Sequence, residues 1–210
     1  MDSLKKYNQE LNEATNFLNK GEIIAIPTDT YFGLACDAFN QQSLENLFKL
    51  KQRNADKPLP LLISDKKDLL GFGIDFSNFQ PILDAFWPGP LTIVIKTDHN
   101  FINGMVKDLG YVGFRVPNHN FTIDLINNFG SPLTGTSANL SGEPETKDIN
   151  VLKDSLDLNY IKKIVNISCG NEESASTVIK ISKNKIKLLR DGPVKYEQII
   201  NLLGNKYEYE

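Results

Sequence analysis

The sequence predicts an α/β fold, a single domain with a twisted, mixed β-sheet flanked by helices. Segments with helical spacing alternate with short β-branched runs along the 210-residue chain. No shift in composition, internal repeat or Pro/Gly/Ser-rich linker divides them. The connections range from tight turns to whole helices, which favours mixed over purely parallel strands. Hydrophobic residues make up 40% and charged residues 23%, near the globular averages, so the chain can bury a sizeable core.

Leu11, Ala14, Phe17 and Leu18 share one face of a helix over residues 7–20, and Gly21 stops it. Residues 22–26 read as a buried strand that opens at Pro27 into a loop carrying Thr28, Asp29 and Thr30. Leu44, Leu47 and Phe48 predict a helix over 41–51, followed by a polar stretch and a strand over 59–63 in which Pro60 marks an edge or bend. Residues 65–70 and 80–86 read as helical and 91–96 and 112–116 as strands, with Trp87-Pro88-Gly89-Pro90 a rigid connector. Asn118 is a candidate cap for a helix to residue 128, and Ser131-Pro132 leads through a short run into a loop over 135–145. Strands near Ile164, Val178 and Ile186 and a helix over 195–203 complete the series, and the tail 207–210 is expected to be loose.

The net charge of −3 argues against a protein that coats nucleic acid, because that mode rests on many Lys and Arg contacts to phosphate. A local basic groove stays open. Cys36 and Cys169 lack CxxC spacing and His99 and His119 lack ligand spacing, so no protein-ligated metal is expected. Cys36 reads either as a nucleophile or, as thiols more commonly are, as a small buried hydrophobe. No apolar run is long enough to cross a bilayer and the first ten residues are polar, so no membrane association and a cytoplasmic location are expected.

Phosphate-binding signatures of the GxxxxGK[ST] and GxGxxG kinds are absent, so a nucleotide site would have to gather cations and hydroxyls from several loops. Three clusters could do so. Lys51, Arg53 and Lys57 put three cations in seven residues where a helix passes to a strand; solvated charges at a helix end would look the same. The stretch from Thr134 to Gly142, with Ser137 and Asn139, is dense in hydroxyls and small residues that let backbone amides approach an anion, or it is a plain Ser/Gly turn. Arg115, Ser176-Thr177 and Arg190-Asp191-Gly192 sit at strand ends, where α/β sheets present ligand groups. The chain has only three arginines, Arg53, Arg115 and Arg190, in a composition that otherwise uses lysine, so each is a place to look for a planar, bidentate fork.

In order, these segments resemble the YrdC-like family, the threonylcarbamoyl-adenylate synthases. The resemblance rests on Pro27-Thr28-Asp29-Thr30 with Gly33-Leu34, then Lys51, Arg53 and Lys57-Pro58-Leu59, then Trp87-Pro88-Gly89-Pro90-Leu91-Thr92. It continues through Arg115-Val116-Pro117, Thr136-Ser137-Ala138-Asn139-Leu140-Ser141-Gly142, Ser176-Thr177-Val178 and Arg190-Asp191-Gly192, spanning residues 23–195 and including all three arginines. It implies one α/β domain with a concave, positively charged groove, in the short form without an extra C-terminal domain. The activity implied is synthesis of threonylcarbamoyl-AMP from L-threonine, bicarbonate or CO2 and ATP with Mg2+, releasing pyrophosphate, as the first step of a tRNA modification completed by a downstream threonylcarbamoyl transferase complex.

By the same resemblance, Lys51, Arg53, Lys57, Ser137, Asn139 and Arg190 would bind ATP, and Thr30, Arg115 and Ser176 would bind threonine. Tyr31 and Phe32 depart from the family's Val then Tyr, which displaces any contact that needs that tyrosine hydroxyl. A rival reading within the family is a non-catalytic, RNA-binding or ribosome-associated protein, and weak RNA binding is compatible with the first reading too. A carbamoyl-transfer module of hydrogenase maturation proteins is a third, but such proteins carry further parts for which this chain has no room.

Overall fold

The structure is a computed structural model and describes residues 2–53, 59–99 and 110–210. Helix α1 (Asp2–Asn19) ends where Gly21 turns left-handed at φ +74°, its N–H donating to Leu18 O while that of Glu22 donates to Phe17 O. This closure satisfies the last carbonyls and needs a residue without a Cβ penalty. The chain then enters β1 (Ile23–Ile26), buried throughout, and β2 (Gly33–Ala35), followed by α2 (Gln41–Lys51), capped by the Asn40 side chain. Next come β3 (Leu61–Leu62), α3 (Asp68–Gly71), α4 (Gln80–Phe86), β4 (Leu91–Lys96) and β5 (Tyr111–Arg115). The remainder is α5 (Asn120–Phe129), β6 (Leu133–Thr134), β7 (Thr136–Ser137), α6 (Ile149–Ser155), β8 (Ile161–Ile164), β9 (Thr177–Ser182), β10 (Lys185–Arg190), α7 (Tyr196–Leu203) and β11 (Glu208–Tyr209).

The strands form a four-stranded sheet ordered β7-β2-β1-β8 and a seven-stranded sheet ordered β11-β10-β9-β4-β5-β3-β6. Both are mixed, as expected: β1–β8, β3–β5, β4–β9 and β10–β11 run parallel and the other pairs antiparallel. The buried side chains fall into two clusters rather than the one that composition suggests. The larger packs α2, α4 and α7 with β4, β5 and β9, and the smaller packs α1 and α5 over Ile24, Ile26 and Leu62.

Four local expectations change in the folded chain. The helix expected to run from an Asn118 cap to residue 128 forms one residue later as α5, with His119 at the cap position. Helix α6 and strand β2 fall where no element is expected, because elements this short, α6 with Leu152 its one buried residue, leave no repeat to read. The tail is not loose: Tyr207 is buried, Glu208 and Tyr209 pair with β10, and Lys185 bridges Glu208 and Glu210. A strand built by one tertiary partner carries no local signal. Pro60 lies just outside β3, where its carbonyl accepts from Gly135 N–H and its missing donor costs no ladder bond.

Among the described residues, no helix is long and apolar enough to cross a membrane. The Cys36 thiol is fully buried beside the Thr134 hydroxyl, and burial above all pushes its pKa from 9.0 up to about 12. It therefore packs as a small apolar group. At pH 8 it should resist iodoacetamide until urea unfolds the protein. The unfolded thiol loses its proton first, so stability should fall as pH rises from 9 towards 12, by at most about 1.4 kcal/mol per pH unit, and Cys36→Ala should remove that slope.

Candidate active site

Pleat parity places the site. On β4, β5 and β9 alternate residues face opposite sides of the seven-stranded sheet. Leu91 and Ile93, Val112 and Phe114, and Ile179 and Ile181 enter the larger core. Their neighbours Thr92 and Val94, Gly113 and Arg115, and Ser176 and Val178 floor a cavity of about 340 Å³ on the other side. The register sets Val94 opposite Gly113 and Thr92 beside Val178, so these groups lie side by side. A bulge between Leu188 and Arg190 breaks the alternation of β10, and both Leu189 and Arg190 reach the cavity.

Six of the nine predicted site residues line this one cavity: Thr30, Arg53, Arg115, Ser137, Ser176 and Arg190. All three arginines converge there from elements far apart in sequence. Burial lowers the pKa of each, yet a guanidinium stays charged in proteins, so three cationic forks line the cavity. Glu145 is the one carboxylate among the lining residues, and its charge opposes the downward shift at Arg190.

Arg115 is fixed on three sides. Its Nε donates to Gly89 O at 3.1 Å, Nη2 donates to Asp29 Oδ1 at 2.5 Å, and Nη1 and Nη2 each lie 3.4 Å from Thr30 Oγ1. Asp29 and Arg115 are 5% and 7% exposed, so this is a buried ion pair; removing one partner of such a pair commonly costs about 3–5 kcal/mol. The Thr28 hydroxyl braces the same turn, lying 3.0 Å from Thr30 Oγ1 and donating to Tyr31 O. Ser176 is held from two directions: Arg190 donates from Nε to its carbonyl and from Nη2 to its hydroxyl, and Thr92 Oγ1 is 2.9 Å from that hydroxyl.

Lys51 and Asn139 are placed differently from the other predicted residues. Both are buried outside the cavity lining, where Lys51 Nζ donates to Ser137 O, Asn139 O and Asn139 Oδ1. Burial and the Arg53 charge pull the Lys51 pKa down to about 7, against the pull of Glu145. The lysine thus ties the end of α2 to the 137–141 loop and sets where Ser137 stands. Arg53 is aimed by the end of that helix. Gln52 takes a left-handed conformation at φ 48° and Arg53 N–H returns to Phe48 O, a turn that glycine usually supplies and that costs a non-glycine residue about 1 kcal/mol or more. Lys57 and its neighbours 54–58 lie outside the described residues.

Sequence reasoning assigned no role to Thr92 or Glu145. Thr92 could have been found from the alternation of β4, since Thr92 and Val94 share the face opposite Leu91 and Ile93. Phe32 is buried against the cavity and the Tyr31 hydroxyl donates to Glu173 O. The tyrosine is therefore spent on holding the 166–176 segment over the 28–31 turn. Gly170 N–H donating to Thr28 O and Lys147 donating to Gly170 O hold the same segment.

The fold and this cavity define a class: an α/β protein of two mixed sheets with three arginines lining one pocket. Residues 16–192 match the Sua5/YciO/YrdC family model, described as telomere recombination, and the chain belongs to that family. It is 38% identical over 136 residues to a threonylcarbamoyl-AMP synthase of Vibrio parahaemolyticus, covering 63% of this chain and 73% of that protein. To the threonylcarbamoyl-AMP synthase of Bacillus subtilis it is 30% identical, covering 97% of this chain and 59% of that one. Pyrococcus abyssi Sua5 complexed with L-threonine superposes with a TM-score of 0.87 at 27% identity, covering 95% of this chain and 58% of the Sua5 chain. The chain thus spans about three fifths of the length of those two longer relatives. Escherichia coli YciO shares the fold, with a TM-score of 0.79 at 23% identity over 90% of this chain and 92% of that one.

Gly192 shows how tightly the arginine strand exit is packed. A Cβ there would lie 2.5 Å from Ala175 O and from Thr177 N, beside the Thr177 hydroxyl that holds the 192–194 turn. Gly192→Ala should destabilise the protein by about 1–3 kcal/mol in urea denaturation, whereas Gly71→Ala, with open space around it, should change stability by less than about 0.5 kcal/mol.

Proposed function

We propose that this protein makes threonylcarbamoyl-AMP from L-threonine, bicarbonate or CO2 and ATP, releasing pyrophosphate, as a nucleotidyltransferase in the first step of a tRNA modification. The observation that carries the reading is the meeting of Arg53, Arg115 and Arg190 with the hydroxyls of Thr30, Thr92, Ser137 and Ser176 in one cavity of about 340 Å³. That volume falls within the range of small-molecule sites. The names of the relatives support the same chemistry. A hollow of this size on an acidic protein favours a nucleotide over an RNA strand.

The Arg115 guanidinium with Thr30 and Ser176 would hold the amino acid by its carboxylate. Arg53, Arg190 and Ser137 would hold the phosphates, with Lys51 and Asn139 fixing the loop that carries Ser137, and the bond from Arg190 to Ser176 would join the two groups. The threonine amine takes up CO2 to form a carbamate, and a carbamate oxygen attacks the α-phosphorus as pyrophosphate leaves. The chain needs no covalent intermediate for this. Its residues bring the two reactants into line and spread the charge that builds on the phosphoryl oxygens.

Magnesium, when present with ATP, supplies further charge neutralisation. Among the described residues no group of three His, Cys, Asp or Glu side chains could ligate it. The donor set fits an ion held by phosphate oxygens and water, with Glu145 the one lining carboxylate available. The product would pass to a downstream threonylcarbamoyl transferase acting on tRNA.

Purified protein given ATP, Mg2+, threonine and bicarbonate should yield threonylcarbamoyl-AMP by mass spectrometry, with pyrophosphate release that requires both threonine and bicarbonate. RNA binding without that product would favour the non-catalytic reading instead. Arg53→Ala should raise the KM for ATP and Arg115→Ala the KM for threonine, each lowering kcat/KM by roughly a hundredfold. Full activity in either variant would remove that arginine from the site.

A further inference from the structure

We propose that Glu145 is the protein's contact to the divalent cation carried by the nucleotide, so that the cavity takes the metal complex of ATP in preference to free ATP. The inference rests on the function proposed above and adds to it a residue that selects the charge state of one substrate.

Glu145 is unusual for what it leaves unmade. It lines a cavity that three arginines also line, yet among the described residues its carboxylate forms no ion pair and no hydrogen bond. The backbone around it is held on both sides. Asn139 Nδ2 donates to Glu143 O, Phe32 N–H donates to Thr146 O at 3.1 Å, and Lys147 Nζ donates to Gly170 O at 2.9 Å. Residues 141–144 are exposed and Glu145 is half-buried, so the loop turns inward at this residue. A fixed backbone thus carries a carboxylate with all its acceptor capacity unused.

The charge of Glu145 reaches the residues proposed to bind phosphate. It pulls the pKa values of Lys51 and Arg190 upward against burial, and Lys51 holds the carbonyl of Ser137. Ser137 and Arg190 line the cavity with it. A carboxylate so placed repels a bare triphosphate, which such a site would hold better without it. A divalent cation shared by the two anions reverses that sign, and Mg2+ is commonly bound by one or two carboxylates together with substrate phosphates and retained waters.

Selectivity follows from the same signs. Guanidinium forks by themselves favour the more negative, metal-free nucleotide, and they have no acceptor to offer a cation. A preference for the metal complex needs an anionic group, and Glu145 is the one carboxylate among the described lining residues.

The test is calorimetric titration of ATP into wild type and Glu145→Gln, once with excess Mg2+ and once with EDTA. Wild type should bind ATP more tightly with Mg2+ by about tenfold or more. Glu145→Gln should bind ATP more tightly in EDTA and more weakly with Mg2+ than wild type does, so that the preference falls by roughly tenfold or more. Glu145→Asp, which keeps the charge, should recover part of it. An unchanged ratio in a folded Glu145→Gln variant, or an equal change under both conditions, would overturn the assignment and leave the proposed function standing. So would wild type binding ATP as tightly in EDTA as with Mg2+, a result that needs no variant to fold. Wild type binding ATP under neither condition would remove the proposed function itself, and this inference with it.

Discussion

A buried ion pair between Asp29, in the turn leaving the four-stranded sheet, and Arg115, at the end of a strand of the seven-stranded sheet, sits where the two sheets meet. Two charges at such a place are unfavourable unless nearly every remaining donor and acceptor around them is engaged. Much of the local structure can be understood as that engagement. Gly89 turns its carbonyl to Arg115, the Thr28 and Thr30 hydroxyls brace the turn, and the 166–176 segment is hydrogen-bonded across it. The exception is Asp29 Oδ2, which is buried with no hydrogen-bond partner.

The same logic separates two kinds of cationic residue. Lys51 has three oxygen acceptors and is enclosed, so it fixes the shape of the 137–141 loop. Arg115 and Arg190 are held through part of their forks, and all three arginines line the cavity. Lysine as an internal strut and arginine as a presented fork follow from their chemistry: a compact ammonium is satisfied by three oxygens, whereas five planar donors can anchor and bind at once.

Sequence and structure agree best where a pattern repeats. The helix over 41–51, the strand over 91–96 and the helix over 80–86 appear with the bounds that periodicity predicts, because each buries a full face against the core. Short elements escape that reading. Strands β3, β6 and β7 are two residues long and exist only because a neighbour completes their ladders, and β11 forms because Tyr207 is anchored in the core beside β10. Of the site, the arginines, Ser137, Ser176 and Thr30 were legible as unusual residues in polar loops or at strand ends. Thr92 was hidden inside a strand, and Asp29 with its flanking hydroxyls read equally as a turn cap or a substrate-binding group.

The sequence alone determined the α/β class, the mixed strand pattern and the residues rare enough to suggest anion recognition. These depend on local periodicity and composition, which survive in one dimension. Only the tertiary structure decided that Lys51 is a strut, that Arg115 is paired before any ligand arrives, and that three arginines drawn from residues 53 to 190 share one cavity. Charge pairing and burial are properties of distance in space, and no spacing along the chain encodes which cation will find a carboxylate.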